Sequence, residues 1–292
     1  MHLTHPDRGM GGFTLVEMVV VMTITGILVA IVAVFISRPM EGLIDSTRRV
    51  ALADSADTAL RRLRRDVQRA LPNSVRVATT TISGQSATVI EYLPTISGGR
   101  YCAEPGTSVA GAPCTPLDFS AAASSFDVIG PLPGLGATPL FDAADIREVA
   151  IYNLGITDAD AYRSESTSAF SGFSGATVTM AAKQFPFPSP GSRFQLIGGP
   201  VSYVCSGAVA GREGVGSLRR VTGYAKQATQ PLDPALLPNA VSALVASNVS
   251  ACTADYAQAV IDQWGLLSIS LQLRRSGENV SLNHEIHVNN NP

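Results

Sequence analysis

The chain begins with a long apolar run that predicts a membrane-spanning helix. Residues 13–36 make up 24 positions, and Glu17 is the only charged residue among them. At about 1.5 Å per residue such a helix is roughly 36 Å long, enough to cross a hydrocarbon core of about 30 Å. A carboxylate inside it costs roughly 2.5–3.5 kcal/mol on insertion scales, and residues of this kind are usually functional. We therefore expect Glu17 to have a specific function.

Helical spacing continues beyond Pro39, where the sequence predicts a kink or a short unwound turn. One apolar face then follows steps of three and four residues: Leu52, Ala56, Leu60, Leu63, Val67 and Leu71. Two ion pairs along this helix are predicted, Asp57 with Arg61 and Arg62 with Asp66. The helix is expected to end near Leu71, because a proline at position 72 disfavours helical geometry in the residue before it.

Many arginines lie largely off this apolar face of the second helical segment: Arg48, Arg49, Arg61, Arg62, Arg64, Arg65 and Arg69. We interpret them as a solvated or subunit-facing side of the helix. Few aromatic residues lie between them, as stacking on bases would need, and the net charge of the whole chain is −2. The sequence therefore predicts no nucleic-acid partner.

After position 72 the apolar period changes from 3.6 to 2, which predicts a β-rich head. The clearest strands form a C-terminal hairpin, in which residues 267–273 and 280–288 alternate between apolar and polar side chains. Further strands are expected at 75–79, 89–93, 149–152, 177–181, 194–197, 201–204 and 218–224. The fold class is therefore α+β, a long N-terminal helix packed on a mostly antiparallel sheet. Residues 97–144 are rich in Gly, Pro, Ala and Ser, and we expect a partly irregular insertion there.

The four cysteines indicate an oxidising compartment and two disulfides. Three pairings are possible by sequence. Cys102–Cys114 with Cys205–Cys252 is favoured, because the first pair brackets a short loop rich in Pro and Gly. No C-x-x-C motif is present that would suggest a metal site.

An enzymatic function is not expected. No G-x-S-x-G motif and no phosphate-binding glycine loop occurs in the sequence. Asp158 and Asp160 could belong to a calcium loop, but without further acids at regular spacing a turn is the preferred interpretation. We therefore expect no catalytic residue, no metal and no cofactor.

Three kinds of N-terminal segment compete for the apolar run. A secretory signal peptide would have an apolar core of about 7–15 residues, which is shorter than this one. A simple membrane anchor leaves Glu17 unexplained. A prepilin-type leader is cut before the apolar helix, and the short polar head 1–12, the Gly12–Phe13 junction and Glu17 resemble those of the type IV pilin and type II secretion pseudopilin superfamily.

The resemblance implies a role for each of these residues. Gly12 is expected to be the last residue of the leader, recognised by a prepilin peptidase of the inner membrane. Phe13 would become the new N-terminus and carry an N-methyl group. Glu17 would stay charged and meet the N-terminal amine of a neighbouring subunit, since a carboxylate and an ammonium in a low-dielectric bundle each need a partner.

The implied organisation has four segments: a leader at 1–12, a transmembrane and assembly helix at 13–36, an amphipathic extension at 37–72, and a head at 73–292. The protein would sit in the inner membrane as a single-pass protein with its head in the periplasm, and then enter a filament. Its expected partners are the peptidase, other major and minor pilins through the N-terminal helix, and the inner-membrane assembly platform.

Several stretches outside the leader look similar to minor pilins of the mannose-sensitive haemagglutinin (MSHA) pilus, of the MshO type. These stretches lie at 54–62, 69–74, 194–197, 200–205 and 280–288. The similarity implies a subunit that helps to initiate or cap a pilus. Two alternatives stay open, a subunit for adhesion or binding at the tip and a J-type pseudopilin of a type II secretion system.

Overall fold

One long helix opens the structure. The computed structural model describes residues 12, 14–105, 108–109, 112–132, 142–258 and 264–292. Helix α1 spans Leu15–Val67, 53 residues, and it continues through Pro39, where the sequence suggests a kink or an unwound turn. Contacts divide the chain into two units, Met1–Val50 and Ala51–Pro292.

Helix α1 ends at Val67, four residues before the end expected from Pro72. The cause is a tertiary contact of the next residues. The backbone N–H of Leu71 donates to the carbonyl oxygen of Leu93 at 2.7 Å, and Ala70 forms an isolated β-bridge with Pro94. These contacts take the place of helical hydrogen bonds, because a backbone N–H that donates to a distant carbonyl oxygen no longer donates within the helix.

The described residues form the following strands: β1 Arg76–Ile82, β2 Gln85–Tyr92, β3 Thr95–Tyr101, β4 Ser108–Val109, β5 Ala112–Pro113, β6 Ala123–Ile129, β7 Glu148–Ala150, β8 Thr167–Ser174, β9 Thr177–Lys183, β10 Arg193–Ile197, β11 Val201–Ser206, β12 Val209–Ala210, β13 Glu213–Gly214, β14 Gly216–Thr222, β15 Val241–Gln258, β16 Trp264–Arg275 and β17 Glu278–Asn289. Two short 3₁₀ helices lie at Ala143–Asp145 and Pro234–Leu236.

A seven-stranded antiparallel sheet carries the main core. Its order is β1-β2-β11-β14-β15-β16-β17. The apolar face of α1 from Leu52 onward is buried against one side of this sheet, together with sheet residues such as Tyr203 and Leu271. In β16 the buried positions alternate with half-exposed ones, as one covered face requires. The α+β architecture expected from the sequence is thus confirmed.

The second core lies inside a closed barrel of six strands. The strands follow the order β10-β3-β6-β9-β8-β7 and come from the chain between β2 and β11. Phe126 packs edge-on against Phe194 at 5.1 Å between ring centroids, and Tyr101 is buried beside them. Two of the barrel strands, β3 and β6, fall in the segment 97–144 that the sequence suggests is partly irregular. Tertiary pairing orders them although their own residues are mostly small and polar.

The four cysteines form two disulfides, Cys102–Cys114 and Cys205–Cys252. The first closes the segment between β3 and β6. The second joins β11 to β15 across the intervening strand β14. Gly207 permits this approach of the two strands, because a Cβ there would lie 2.7 Å from the Cα of Ala251.

Truncating the centre of the helix–sheet core tests its contribution to stability. Leu60 is fully buried in α1, so Leu60→Ala should lower the free energy of unfolding by about 2–5 kcal/mol. Urea unfolding of the full chain in detergent measures this. The matched control is Leu244→Ala, whose side chain is 56% exposed and whose effect should stay within about 0.5 kcal/mol. Equal effects would contradict the assignment of this core.

Candidate functional site

The start of α1 holds the N-terminal motif. Thr14 precedes the helix, and its hydroxyl oxygen accepts a hydrogen bond from the backbone N–H of Glu17 at 3.3 Å. The carbonyl oxygen of Thr14 accepts the first helical bond, from Met18 at 3.2 Å. Thr14 is therefore the N-cap and Glu17 the third helical residue, the spacing of a capping box. The T-x-x-E spacing of Thr14 and Glu17 is the signal in the sequence for this cap.

Of the two residues at the expected cleavage junction, Gly12 is exposed. Phe13, the expected site of N-methylation, lies outside the described residues, as does most of the expected leader. Among the described residues, no atom would lie within 4 Å of a Cβ added to Gly12. The described part of the fold therefore does not itself require a glycine at position 12.

The helix that follows has the character of a membrane span. Within α1, Leu15–Phe35 is long and apolar enough to cross a membrane by length and composition, and none of it is buried inside the structure. Glu17 is its only charge, and it sits within the first turn, where the helix dipole favours an anion. The span thus exposes a continuous apolar surface, with one carboxylate placed at its beginning.

A polar cluster fixes the last turn of α1 to the sheet. The carboxylate of Asp66 accepts hydrogen bonds from the Tyr203 hydroxyl at 2.8 Å and from Arg220 Nε at 3.0 Å. The sequence pairs Asp66 with Arg62 along the helix, and the tertiary partners are these two instead. The other predicted pair, Asp57 with Arg61, is present at 2.8 Å. Asp66 thereby orients the amphipathic helix on the head.

A second polar cluster surrounds a buried acid. Glu91 is fully buried in β2. One carboxylate oxygen accepts a hydrogen bond from Arg76 Nε at 2.7 Å and the other accepts one from the Tyr224 hydroxyl at 2.8 Å. Each oxygen of the buried acid therefore has a hydrogen-bond partner. The guanidinium of Arg76 lies 3.5 Å from the ring centroid of Tyr162. Burial raises the pKa of Glu91 above its usual 4.5, against the opposing effect of Arg76. The feature of the sequence that could have indicated this cluster is Glu91 itself, a single acid within the otherwise apolar run 89–93.

Polar side chains also join the barrel to the sheet. Lys226, which follows β14, donates to Glu148 of β7 at 2.5 Å and to the carbonyl oxygen of Ala161 at 2.6 Å. Asn153 donates to the carbonyl oxygen of Pro72 at 2.7 Å and accepts from the Ala161 N–H at 2.8 Å. The bonds of Asn153 are buried and those of Lys226 are partly buried. Together they restrict the motion of the barrel relative to the sheet.

A polar cleft of about 530 Å³ opens where the barrel meets the sheet. The residues that line the cleft include Asp145, Arg147, Glu148, Pro200, Lys226 and Asn239. Its volume falls within the range of small-molecule sites, about 300–1,000 Å³. The cleft mixes both signs of charge with amide and apolar surface, so it could receive a small polar ligand.

The two acids that the sequence analysis considers for a calcium loop, Asp158 and Asp160, make local backbone contacts. Among the described residues, no group of three or more His, Cys, Asp or Glu could hold a metal ion. Asp158 lies in a turn with a φ of 69°, and Asp160 caps the backbone N–H of Tyr162 at 2.9 Å. The two acids thus serve local backbone geometry.

Comparison with known proteins bears on the N-terminal region. Residues 7–33 match the family model described as the prokaryotic N-terminal methylation motif. The match includes Gly12, Phe13 and Glu17 and most of the apolar span. It supports a pilin-like or pseudopilin subunit, processed by a prepilin peptidase and assembled with other pilins, and it points to no known enzyme family. Neither curated proteins nor solved structures gave a match.

The buried acid Glu91 predicts a pH effect on stability. A raised pKa in the folded state means that the native protein keeps a proton that the unfolded chain releases. Stability should therefore fall as the pH rises from 4.5 through the raised pKa. Glu91→Gln should remove this part of the fall, measured by urea unfolding of the full chain between about pH 4 and 7.

The control for Glu91→Gln is Asp255→Asn, which changes an exposed acid of β15. This control should keep the pH profile of the original chain. A Glu91→Gln profile that is also unchanged would show that burial of this carboxyl does not control the pH dependence.

Proposed function

We propose that the protein is a non-enzymatic subunit of a type IV pilus-like filament. The observation that supports this most strongly is the methylation-motif match over residues 7–33, in which Glu17 is the sole charge of an otherwise apolar span. In this proposal a prepilin peptidase cuts between Gly12 and Phe13, and Phe13 becomes an N-methylated N-terminus. Residues 1–12 are the leader.

Glu17 is proposed to act in assembly. An acid in a membrane helix is costly unless it has a partner, and the new amine at Phe13 of an adjacent subunit carries the opposite charge. The Thr14 cap holds the backbone of Glu17 in the first helical turn, so the carboxylate has a defined place along the helix. The pair would set the register between neighbouring helices.

The protein is proposed to wait in the inner membrane as a single-pass protein with its head in the periplasm. Two disulfides in the head suit that oxidising compartment. Extraction by an inner-membrane assembly platform would then place it in a filament beside major and minor pilins, without a nucleic-acid partner.

Within this class we propose a minor pilin of the MSHA-like MshO type, which helps to initiate or cap the filament. The size of the head favours this: it contains a sheet domain and an inserted barrel, each with its own core. A head this bulky would be difficult to repeat at every subunit, whereas one copy at a filament end meets no such limit.

The competing candidate is a binding subunit at the tip. The cleft of about 530 Å³ between barrel and sheet favours it. A J-type pseudopilin of a type II secretion system would share the same architecture, and the genes beside this one would distinguish the two systems.

The N-terminal mass tests the proposal directly. Protein purified from membranes with an active prepilin peptidase should begin at Phe13 and carry one added methyl group. Gly12→Leu should block processing because the side chain is bulky, whereas Gly12→Ala keeps a small residue and should be processed. A chain that starts at Met1 with and without the peptidase would contradict the proposal.

In the same cells Glu17→Gln should leave the start at Phe13 unchanged and lower the amount of protein in sheared filaments at least several-fold. Thr23→Ala, in the same apolar span, is the matched control and should assemble normally. This pair separates processing from assembly.

Removal of the barrel distinguishes assembly from tip binding. The N–H of Gly198 donates to the carbonyl oxygen of Pro94 at 2.9 Å, so a short linker can replace residues 95–197 where the two ends already meet. If the protein acts in assembly through its helix and sheet, filament number should be kept. Lost attachment with normal filaments would favour a binding role for the barrel, and lost filaments would show that the barrel itself is needed for assembly.

A further inference from the structure

The last strand of the seven-stranded sheet has an open edge. Strand β17, Glu278–Asn289, pairs with β16 over its full length, from Trp264 opposite Asn289 to Arg275 opposite Glu278, without a register shift. No described strand pairs with its other side. One row of backbone N–H and C=O groups along this strand therefore faces away from the sheet.

Proteins usually protect such an edge, and β17 has only two carboxylates, Glu278 and Glu285, among the common devices. Its sequence contains no proline, lysine or glycine, and its pairing with β16 has no bulge. The opposite edge, β1, differs. The side-chain amide of Gln230 donates to the carbonyl oxygen of Arg76 at 3.4 Å, and Arg76 Nη1 donates to the carbonyl oxygen of Ala228 at 2.9 Å. A loop thus covers the start of β1.

The side chains of β17 also favour an added strand. Val280 and Leu282 are only partly buried against the helix–sheet core, whereas Ile286 and Val288 farther along the strand are fully buried. The apolar row on this face is thus incompletely covered where it reaches the edge. An extended segment beside β17 would place alternate side chains over that row.

We propose that β17 is an interaction surface on which an extended segment of a different filament subunit docks as an eighth strand. Main-chain hydrogen bonds would supply affinity, and the alternating side chains would supply specificity. The inference rests on the proposed function, which provides neighbouring subunits in a filament.

Charge defines the partner further. On the solvent face, Asp255, Ser268 and Glu285 form one row across β15, β16 and β17, and the row carries two exposed carboxylates. A depression of about 250 Å³ lies over the same residues. The docking segment therefore carries a lysine or arginine opposite Glu285. A second copy of β17 would bring two carboxylates, Glu278 and Glu285, and only the imidazoles of His284 and His287. A different segment with a lysine or arginine supplies a full positive charge opposite Glu285.

Photo-crosslinking in cells tests the proposal with the full chain. A benzophenone amino acid replaces Asn283, which is exposed on β17. The matched control replaces Ser270 of β16, which lies directly opposite Asn283 on the same face but one strand inward. The expected result is an adduct at position 283, several-fold stronger than at position 270, that mass spectrometry maps to an extended segment of another subunit with the methylation motif.

Variants that reverse a single charge test whether the carboxylate of Glu285 contributes to the adduct yield at position 283. Glu285→Lys should lower the adduct yield at position 283 several-fold, whereas Asp255→Lys, in the same row but two strands inward, should leave it nearly unchanged. Equal yields at positions 283 and 270 would overturn the proposal. An adduct between two copies of this chain, or one that maps only to helical residues, would overturn it as well.

The N-terminal mass of the same samples distinguishes failure of the strand-docking proposal from failure of the proposed filament role. A chain that begins at Phe13 but gives no specific adduct at position 283 refutes the strand docking and leaves the filament role intact. A chain that keeps Met1 refutes the filament role, whatever the crosslinking yields.

Discussion

The head depends on the burial of one face of α1 against the seven-stranded sheet. Leu60, Leu63 and Val67 lose all solvent contact there, and burial of side chains of this size contributes about 1.5–3 kcal/mol each. The ion pair between Asp66 and Arg220 adds orientation at the end of the helix. The C-terminal hairpin contributes to the same core through Leu271, Leu273 and Ile286.

The barrel is an addition to that framework. The chain leaves the sheet after β2 and returns at β11, and the two ends of the excursion meet at the Pro94–Gly198 hydrogen bond. Such a junction lets a second core grow without disturbing the first. The hydrogen bonds of Lys226 and Asn153 then hold the barrel against the sheet, so the cleft between them has a defined shape.

The two regions proposed to contact other subunits, the start of α1 and the edge of β17, differ in the kind of interaction that they offer. At the N-terminus, one carboxylate lies in an apolar helix, where it is costly without a positive partner. In the proposed filament the amine of a neighbouring chain would be that partner. On the head, an open strand edge leaves main-chain groups without partners among the described strands. In the proposed filament, association with other subunits would satisfy both groups.

The sequence by itself determined the features that depend on local patterns. The apolar span with Glu17, the amphipathic face from Leu52 to Val67 and the C-terminal hairpin were all predicted, because a period of 3.6 or 2 over many residues leaves few alternatives. The cysteine pairing could be narrowed to three arrangements, and the favoured one agrees with the structure.

Only the tertiary structure decided the rest. Strand β15, Val241–Gln258, is rich in Ala, Ser and Val and has no clear alternation. It becomes a strand because β14 and β16 pair with its two halves. The barrel strands β3, β6 and β8 arise in the same way. The helix ended at Val67 because Leu93 and Pro94 offered backbone partners from far along the chain. Long-range pairing of this kind leaves no local signature, since the residues that stabilise it are distant in sequence.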